Sequence, residues 1–388
     1  VYAQSRATVF AWTMGITHHV HGVDNVRAIA NLALLRGMVG RPGAGLLPIR
    51  GHSNVQGVGS VGVVPQLAEP VLRKLESHFG VKLPTRPGLD TLACIDAMHR
   101  GEIRNAFCLG GNLFGSNPDA ARTAEAFERL EFCAYVSTTL NTGHAWGRAK
   151  HTLILPARAR DEEPQPTTQE SMFNYVRISD GGPPRVPGAR SEVEIVADIA
   201  SRVLGPCADL GPVDGGESGP AGPSSAGPID WGVMRSHAEI RRAIAAVIPG
   251  FEALREVDTH RREFQIDGRT LLRPEFRTSD GKAHLHVTPL PKNSDPPGTL
   301  RLMTIRSEGQ FNTVVYEDED VYRGQERRDV ILMNEEDMVA RGLRRDQWVI
   351  VRSETGAMRA LVRPIDIRAG NAAMYYPEAN AIVPRRAD

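Results

Sequence analysis

Cysteine is scarce in this chain, and its cysteines are not spaced like a metal or redox motif. The 388 residues include four, with no Cys-x-x-Cys pair. Cys94, Cys108 and Cys133 stand in apolar stretches, which predicts buried thiols, and the fourth is Cys207. This size and cysteine density disfavour a disulfide scaffold and indicate a reducing compartment, the cytoplasm.

The chain also lacks an excess of charge, with 46 Lys and Arg against 46 Asp and Glu. Nucleic-acid-binding proteins usually carry a basic excess, so that class is disfavoured. No apolar run reaches the ~18 residues that cross a bilayer. The first residues lack an initiator Met and the charged-then-apolar order of a secretion signal. We therefore expect no membrane span, and we expect the chain to be a fragment.

What the first half does contain is an alternation of strand and helix patterns. An apolar run at 7–16 predicts a buried strand, and the periodic stretch after it predicts a helix capped by Asp24. Later strands are predicted at 104–112, 131–140 and 150–157, and later helices at 91–103, 118–130 and 191–205. Pro118 is expected in the first turn of its helix. This alternation predicts an α/β fold with a parallel sheet.

The second half changes character twice. Residues 206–228 are rich in Gly, Pro and Ser, which predicts a linker, and a helix (230–248) and a strand–turn–strand segment (275–287) follow. From Thr299 onward, short strands separated by turns and one helix capped by Asn334 predict a closed β-barrel of about 90 residues.

The loop after the strand at 104–112 is the clearest candidate for a ligand site. Gly110 and Gly111 would let backbone N–H groups approach a phosphate, because ligands bind beyond the carboxyl ends of parallel strands. Asn112 and Ser116 add hydrogen-bonding groups, and Asp119 offers an acceptor for a guanine-type edge. A capped glycine-rich turn without a ligand explains the same residues.

Two further loops follow predicted strands and carry polar residues. These are Thr138, Asn141 and His144 in the first loop, and Arg306, Ser307, Gln310 and Asn312 in the second. Their side chains suit phosphates or base edges, although ordinary surface loops carry similar residues.

The stretch LLPIRGHSNVQGVGSVG gathers polar groups among glycines. Arg50 offers a planar fork for a carboxylate, and His52 could carry a proton near neutral pH. A solvated surface loop is the alternative. The histidines His18, His19 and His21 lack metal-ligand spacing, so we predict no metal ligands in this chain.

Together, these stretches resemble the second half of molybdopterin-dependent oxidoreductases of the formate dehydrogenase type. The resemblance is carried by MGITHHVHGVDNVRAIANLALLRGMVGRPGAGLLPIRGHSNVQG, LGGNLFGSNPD, LILPARARDEEP and RSEGQFNT with RRDVILMNEEDMVARGL, in the family's order. It covers most of the chain and is weakest across 206–298.

The resemblance implies a fold and a cofactor. Residues 1–52 would end an incomplete α/β domain, 53–205 would form a dinucleotide-binding α/β domain, 206–298 would connect, and 299–388 would form a six-stranded barrel of the double-psi type. Molybdenum would be held by two molybdopterin guanine dinucleotides. The LGGNLFGSNPD loop and the segment from Arg306 to Asn312 would contact them, and a [4Fe-4S] cluster would lie upstream of Val1.

The resemblance also assigns roles in the polar stretch. The family's matching motif is Arg-Gly-Gln, whose arginine orients a substrate carboxylate near the metal. Arg50 takes that place and His52 replaces the glutamine, as in the related oxidoreductase alpha subunits. The implied substrate is formate or a similar small anion, and the implied reaction transfers two electrons to an unidentified electron partner.

Two other hypotheses remain open from the sequence. The chain by itself would be a cofactor-binding fragment without catalysis, because the cluster motif and the metal-ligand region would lie upstream. Alternatively, it is an α/β enzyme that uses another nucleotide cofactor, such as a flavin or thiamine diphosphate.

Overall fold

The computed structural model describes residues 1–18, 20–205, 229–268, 273–290 and 295–385. The predicted linker at 206–228, Cys207 within it, and His19 lie outside these ranges. The chain divides into two compact units. The first comprises Val1–Ile16, Ile29–Asp90 and Pro156–His284, and the second comprises Thr17–Ala28, Thr91–Leu155 and Leu285–Asp388. The four predicted domain ranges remain a prediction.

Twelve α-helices are found within the described ranges. They are α1 (Met14–Thr17), α2 (Gly22–Leu35), α3 (Val55–Ser60), α4 (Glu69–Phe79), α5 (Thr91–His99), α6 (Leu113–Ser116), α7 (Ala120–Glu128), α8 (Thr142–Trp146), α9 (Glu192–Leu204), α10 (His237–Val247), α11 (Val257–His260) and α12 (Glu335–Ala340). None of these helices has both the length and the apolar character that crossing a bilayer requires.

Strands alternate with these helices, as an α/β fold requires. They are β1 (Val9–Trp12), β2 (Gly45–Pro48), β3 (Asn105–Leu109), β4 (Phe132–Ser137), β5 (His151–Pro156), β6 (Thr167–Glu170), β7 (Tyr175–Ser179), β8 (Phe264–Gln265), β9 (Arg301–Ile305), β10 (Val330–Met333), β11 (Trp348–Arg352), β12 (Ala357–Pro364) and β13 (Asn371–Tyr375).

The described residues of the first unit form two small sheets. β1 and β2 pair in parallel, with Val9 opposite Gly45. β6, β7 and β8 pair antiparallel, and Val176 of β7 packs with Phe251 and Leu254 in a core that α10 completes. Burying this apolar surface is the main driving force for the unit's folding.

Several boundaries in this unit differ from expectation. The strand predicted at 7–16 is β1, which is half exposed rather than buried. Helix α2 begins at Gly22, so Asp24 lies in its first turn and is not its cap. Helix α9 is confirmed with its capping box: Ser191 accepts from the N–H of Val193, and Glu194 accepts from the N–H of Ser191.

The parallel sheet predicted from the strand–helix alternation lies in the second unit. β3 and β4 pair in parallel, and β5 lies beside β4. Cys133 and Tyr135 of β4 pack against Ile95 of α5 and Phe127 of α7 in a buried cluster. Cys133 is a buried free thiol, as predicted, whereas Cys94 and Cys108 are half buried.

Helix α7 begins at Ala120, two residues after Pro118. Asp119 has φ of 55° and accepts a hydrogen bond from the N–H of Arg122 at 3.2 Å. It is therefore the N-cap, and Pro118 precedes the helix instead of occupying its first turn.

The carboxyl-terminal part of this unit is a five-stranded sheet with strand order β11-β12-β10-β13-β9. Met333, Val362 and Met374 lie in its core. The predicted cap of α12 is confirmed, because Asn334 accepts from the N–H of Glu336 at 2.8 Å. The described residues give five strands, so the six-stranded barrel is not confirmed.

The strand–turn–strand prediction for 275–287 is wrong. No residue in that segment has strand pairing in the described structure. Asp280 instead accepts from the backbone N–H of Lys282 and the hydroxyl of Thr278, which closes the turn locally. These side-chain bonds compete with a strand ladder for the same backbone.

An ion pair joins the last described residues to α5. Arg385 donates to both carboxylate oxygens of Asp96 at 2.6 Å, and Arg122 of α7 donates to one of them at 3.0 Å. The N–H of Asp119 also donates to the carbonyl of Val383 at 3.0 Å. The hydrogen bond from Arg385 lowers the pKa of Asp96 well below its ordinary value, although burial opposes this, and Arg122 contributes to the lowering.

We expect Asp96→Asn to lower the free energy of unfolding by about 1–3 kcal/mol at pH 7, because charge-assisted hydrogen bonds to two arginines are lost. A carboxylate with a lowered pKa stabilises the fold above the unfolded pKa of ~3.9 and loses that effect as pH falls. The difference from wild type should therefore shrink below pH 4. Urea unfolding at several pH values measures it, with the exposed Glu128→Gln as control. A pH-independent difference would contradict this role.

Candidate functional site

The loop after β3 exposes bare backbone at the carboxyl edge of the parallel sheet. Gly110 and Gly111 both adopt positive φ, 68° and 67°, which disfavours side chains at these positions. The N–H of Gly110 donates to the carbonyl of Val136 at 2.8 Å, which ties the loop to β4. A Cβ on Gly111 would meet no atom within 4 Å, so its surroundings are open.

Asn112 is a buried amide that joins three segments of the second unit. It is 3% exposed. Its Oδ1 accepts from the N–H of Gly115 at 2.8 Å, which caps α6, and its Nδ2 donates to the Thr142 hydroxyl at 2.8 Å. The same Nδ2 donates to the carbonyl of Thr313 at 3.2 Å. A Cβ at Gly143 would lie 2.6 Å from Oδ1, so this arrangement requires glycine there.

The loop after β4 is held by its own side chains. Asn141 accepts from the N–H of Gly143 at 2.9 Å and donates to the carbonyl of Gly111 at 3.2 Å. The N–H of Asn141 donates to Nδ1 of the buried His144 at 3.2 Å. That nitrogen must therefore carry a lone pair, so Nε2 bears the hydrogen and donates to Ser137 Oγ at 3.2 Å. Burial lowers the pKa of His144, which favours this neutral form.

The other predicted residues near these loops have different surroundings. Ser116 is exposed, and its hydroxyl donates to the carbonyl of Leu113 at 3.3 Å. Asp119 caps α7, as described above. Thr138 lies exposed just after the end of β4.

A cleft of about 230 Å³ lies in this unit between the two loops and the segment after β13. Residues that line it include Phe114, Gly115, Thr142, Trp146, Glu378 and Asn380. Asn380 is buried and donates to the carbonyl of Gly115 at 2.8 Å, so the segment after β13 is fixed to α6. The cleft thus combines aromatic surface, the side chain of Thr142 and one carboxylate.

The predicted residues after β9 lie near one another, but several of their side chains are engaged within the protein. Arg306 stacks over Tyr376 at 5.2 Å and donates to the carbonyl of Phe311. Asn312 accepts from the N–H groups of Val314 and Val315, both at 2.7 Å, which shapes a turn. Ser307 and Gln310 are buried.

Arg328, just before β10, holds Ser307 and Gln310 and was missed by the sequence reasoning. It donates to the Ser307 hydroxyl at 2.7 Å and to Gln310 Oε1 at 3.0 Å. Its Nε donates to Glu378 Oε1 at 2.7 Å, and Nη2 donates to Glu378 Oε2 at 3.1 Å. The guanidinium also stacks on the rings of Tyr316 and Tyr375, at 4.5 and 5.0 Å. The only signal for Arg328 in the sequence is its position directly after Arg327, before the apolar residues of RRDVILM.

Arg50 and His52 are exposed in the loop after β2, at the carboxyl end of a parallel strand. The N–H of Ile49 donates to the carbonyl of Trp12 at 2.7 Å, so this loop begins at a fixed point beside β1. The arginine and histidine side chains are thus presented to solvent from an anchored backbone.

The amides of the same stretch have a structural role. Asn54 has φ of 63° and precedes α3, so the stretch is partly helical rather than a loop. Gln56 donates to Glu170 Oε1 at 2.7 Å and to Asn174 Oδ1 at 2.5 Å. Asn54 accepts from the N–H of Glu170 at 3.0 Å. These bonds attach α3 to the β6–β7 hairpin. They give the amide side chains of this glycine-rich stretch hydrogen-bond partners within the protein.

Comparisons with known proteins place these features in a family context. The profile described as Molybdopterin oxidoreductase matches residues 2–199, and that of the Molydopterin dinucleotide binding domain matches residues 300–388. An uncharacterized oxidoreductase of Mycobacterium tuberculosis is 36% identical over 405 residues, covering 98% of this chain and 49% of the relative. The chain therefore spans about half the length of that relative.

Two other similarities are more limited. A Staphylococcus aureus protein named as a formate dehydrogenase is 34% identical over 138 residues, which cover 34% of this chain and 14% of that protein. The solved structure of acetylene hydratase from Pelobacter acetylenicus aligns with a TM-score of 0.49 at 15% identity, covering 80% of this chain and 43% of that one.

We expect the buried His144 to make stability depend on pH. The pKa of His144 is lower in the folded chain, so at mildly acidic pH the unfolded chain binds a proton more readily than the folded chain does. The free energy of unfolding therefore falls as the pH drops below the unfolded pKa of ~6.5. His144→Gln, which retains one acceptor and one donor, should reduce this loss between pH 7.5 and 5.5. Urea midpoints of both proteins measure it, with the exposed His151→Gln as control. An unchanged pH slope would show that His144 does not carry the effect.

Proposed function

The chain belongs to the molybdopterin oxidoreductase family, and we propose that it holds the nucleotide part of a molybdopterin guanine dinucleotide in the cleft of its second unit. The observation that carries the proposal is that the loops after β3 and β4 meet the segment after β13 at one cleft. Pockets that enclose a drug-sized ligand measure roughly 300–1,000 Å³. A cleft of about 230 Å³ therefore fits one end of a dinucleotide.

The residues present suit such a group. The open backbone at Gly111 allows close approach of a phosphate. Trp146 is 65% exposed and offers a face for stacking. Thr142 adds a hydroxyl, and Arg306 lies on Tyr376 in the same unit. Ser307, Gln310 and Asn312 would act through the shape of their loop, because their side chains bind within the protein.

We propose that the whole protein oxidises or reduces a small anion, formate or a similar compound, by two electrons. When bound, the molybdenum cofactor supplies the redox chemistry. Arg50 would bind the anion through paired N–H groups, and His52 would accept the proton that formate releases on conversion to carbon dioxide. We place the [4Fe-4S] cluster, which would pass electrons to a partner protein, outside this chain, and the protein in the cytoplasm.

Cofactor analysis of the full-length protein tests the assignment. We expect molybdenum together with guanine nucleotide released by acid, at two nucleotides per metal. Flavin or thiamine diphosphate in place of molybdenum and guanine nucleotide would overturn the proposal. Molybdenum with a pterin that carries no nucleotide would exclude the dinucleotide form of the cofactor. The same preparation, assayed with an artificial electron acceptor, reports whether formate is oxidised.

We expect Arg50→Ala in the full-length protein to lower kcat/KM for the anion by on the order of 10–100-fold, because charge-assisted hydrogen bonds are lost. Molybdenum content should stay near the wild-type level, because the role is on the substrate side. Arg41→Ala, which removes another exposed arginine of the same unit, is the matched control. Parallel loss of metal and turnover in Arg50→Ala would instead place this arginine in cofactor binding.

A further inference from the structure

Glu378 is the charged residue among the described residues that line the cleft. It follows β13, and its side chain is about a quarter exposed, whereas its partner Arg328 is buried. We propose that the Glu378 carboxylate, oriented by Arg328, selects a ring that presents an N–H and an adjacent amino group, the 2-amino-4-oxopyrimidine edge shared by guanine and pterin. This inference deepens the proposed function and rests on it.

The hydrogen bonds of Arg328 show that it positions Glu378 and leaves ligand contact to that residue. A guanidinium has five N–H groups. Nε binds Glu378, Nη1 binds the Ser307 hydroxyl and the carbonyl of Glu317, and Nη2 binds Gln310 and the carbonyl of Tyr376. All five are thus committed within the protein. Arg328 therefore has no free N–H to offer a ligand, and it holds the carboxylate by a two-point contact instead.

The carboxylate retains acceptor capacity toward the cleft. An ionised carboxylate accepts at about four lone-pair positions and donates at none. Arg328 occupies one position on each oxygen of Glu378. The remaining positions on the two oxygens match two parallel donors on a planar ring. Guanine and pterin present such a pair, whereas hypoxanthine lacks the amino group and adenine presents an acceptor nitrogen beside its amino group.

The remaining lining suits a flat ring. Phe114 and Trp146 supply aromatic surface, and Asn380 is turned away, because its amide donates to the carbonyl of Gly115. Asp119, which the sequence suggested for this contact, caps α7 through its side chain. Selection by the base edge therefore falls to Glu378 rather than to Asp119.

Nucleotide binding to the full-length protein, purified from cells that cannot make molybdopterin, tests the inference. The probes are GMP, IMP, AMP and free pterin, and the readout is calorimetric titration. We expect GMP to bind about 10–100-fold more tightly than IMP, since the difference is one hydrogen bond to a charged group. AMP should bind no better than IMP. Pterin binding as tightly as GMP would assign the cleft to the pterin end, and weaker pterin binding would assign it to the nucleotide end.

Variants link the preference to the carboxylate. Glu378→Gln should reduce the GMP-to-IMP ratio to about one, because an amide replaces one acceptor with a donor. Glu378→Asp retains the charge on a side chain that is one methylene shorter, and it should also lower the GMP-to-IMP affinity ratio. It replaces the Gln variant in the test if that variant melts at a markedly lower temperature. Arg328→Lys should lower the ratio by releasing Glu378, and the exposed Glu336→Gln should leave it unchanged.

Equal affinity for GMP and IMP, or an undiminished ratio in both Glu378 variants, would overturn the inference. Either result can occur in a protein that contains molybdenum and guanine nucleotide, which would leave the proposed function standing. Absence of those cofactors from the wild-type protein would instead reject the proposed function. The two failures are therefore distinguished by separate measurements.

Discussion

A single buried amide organises the candidate site. The side-chain oxygen of Asn112 caps α6, and its nitrogen donates to the Thr142 hydroxyl and to the carbonyl of Thr313. Thr313 lies 201 positions further along the chain. Each partner belongs to a different segment, so the loop after β3, the helix after β4 and the loop after β9 are set by one side chain. A buried amide that lost one partner would be left with an unmet hydrogen bond, which is costly. The hydrogen bonds of Asn112 therefore hold together the two loops beside the cleft.

Features that depend on local chemistry were predictable from the sequence. The caps by Ser191 and Asn334 and the parallel pairing of β3 with β4 follow from side chains within a few residues and from apolar periodicity. The polar loops at strand ends were identified for the same reason, because a parallel sheet brings its carboxyl ends to one edge. Family resemblance added the cofactor, which no spacing of residues indicated.

Features that depend on distant partners were not predictable. β13 has small, mixed residues and becomes an interior strand because β9 and β10 pair with it on either side. Arg328 gains its role only when Glu378, 50 positions away, reaches it. Gln56 likewise belongs to a network with Glu170 and Asn174, so its amide serves contacts within the protein. The sequence shows that Arg328 and Gln56 are polar, but the role of each depends on a hydrogen-bond partner that is distant along the chain.

The second unit is discontinuous along the chain, and this has a consequence for biosynthesis. Residues Thr91–Leu155 share their unit with Leu285–Asp388, and the pair between Asp96 and Arg385 spans 289 positions. During translation the earlier segment leaves the ribosome well before its partner exists. The cleft, which both segments line, therefore forms only after the later segment has been synthesised.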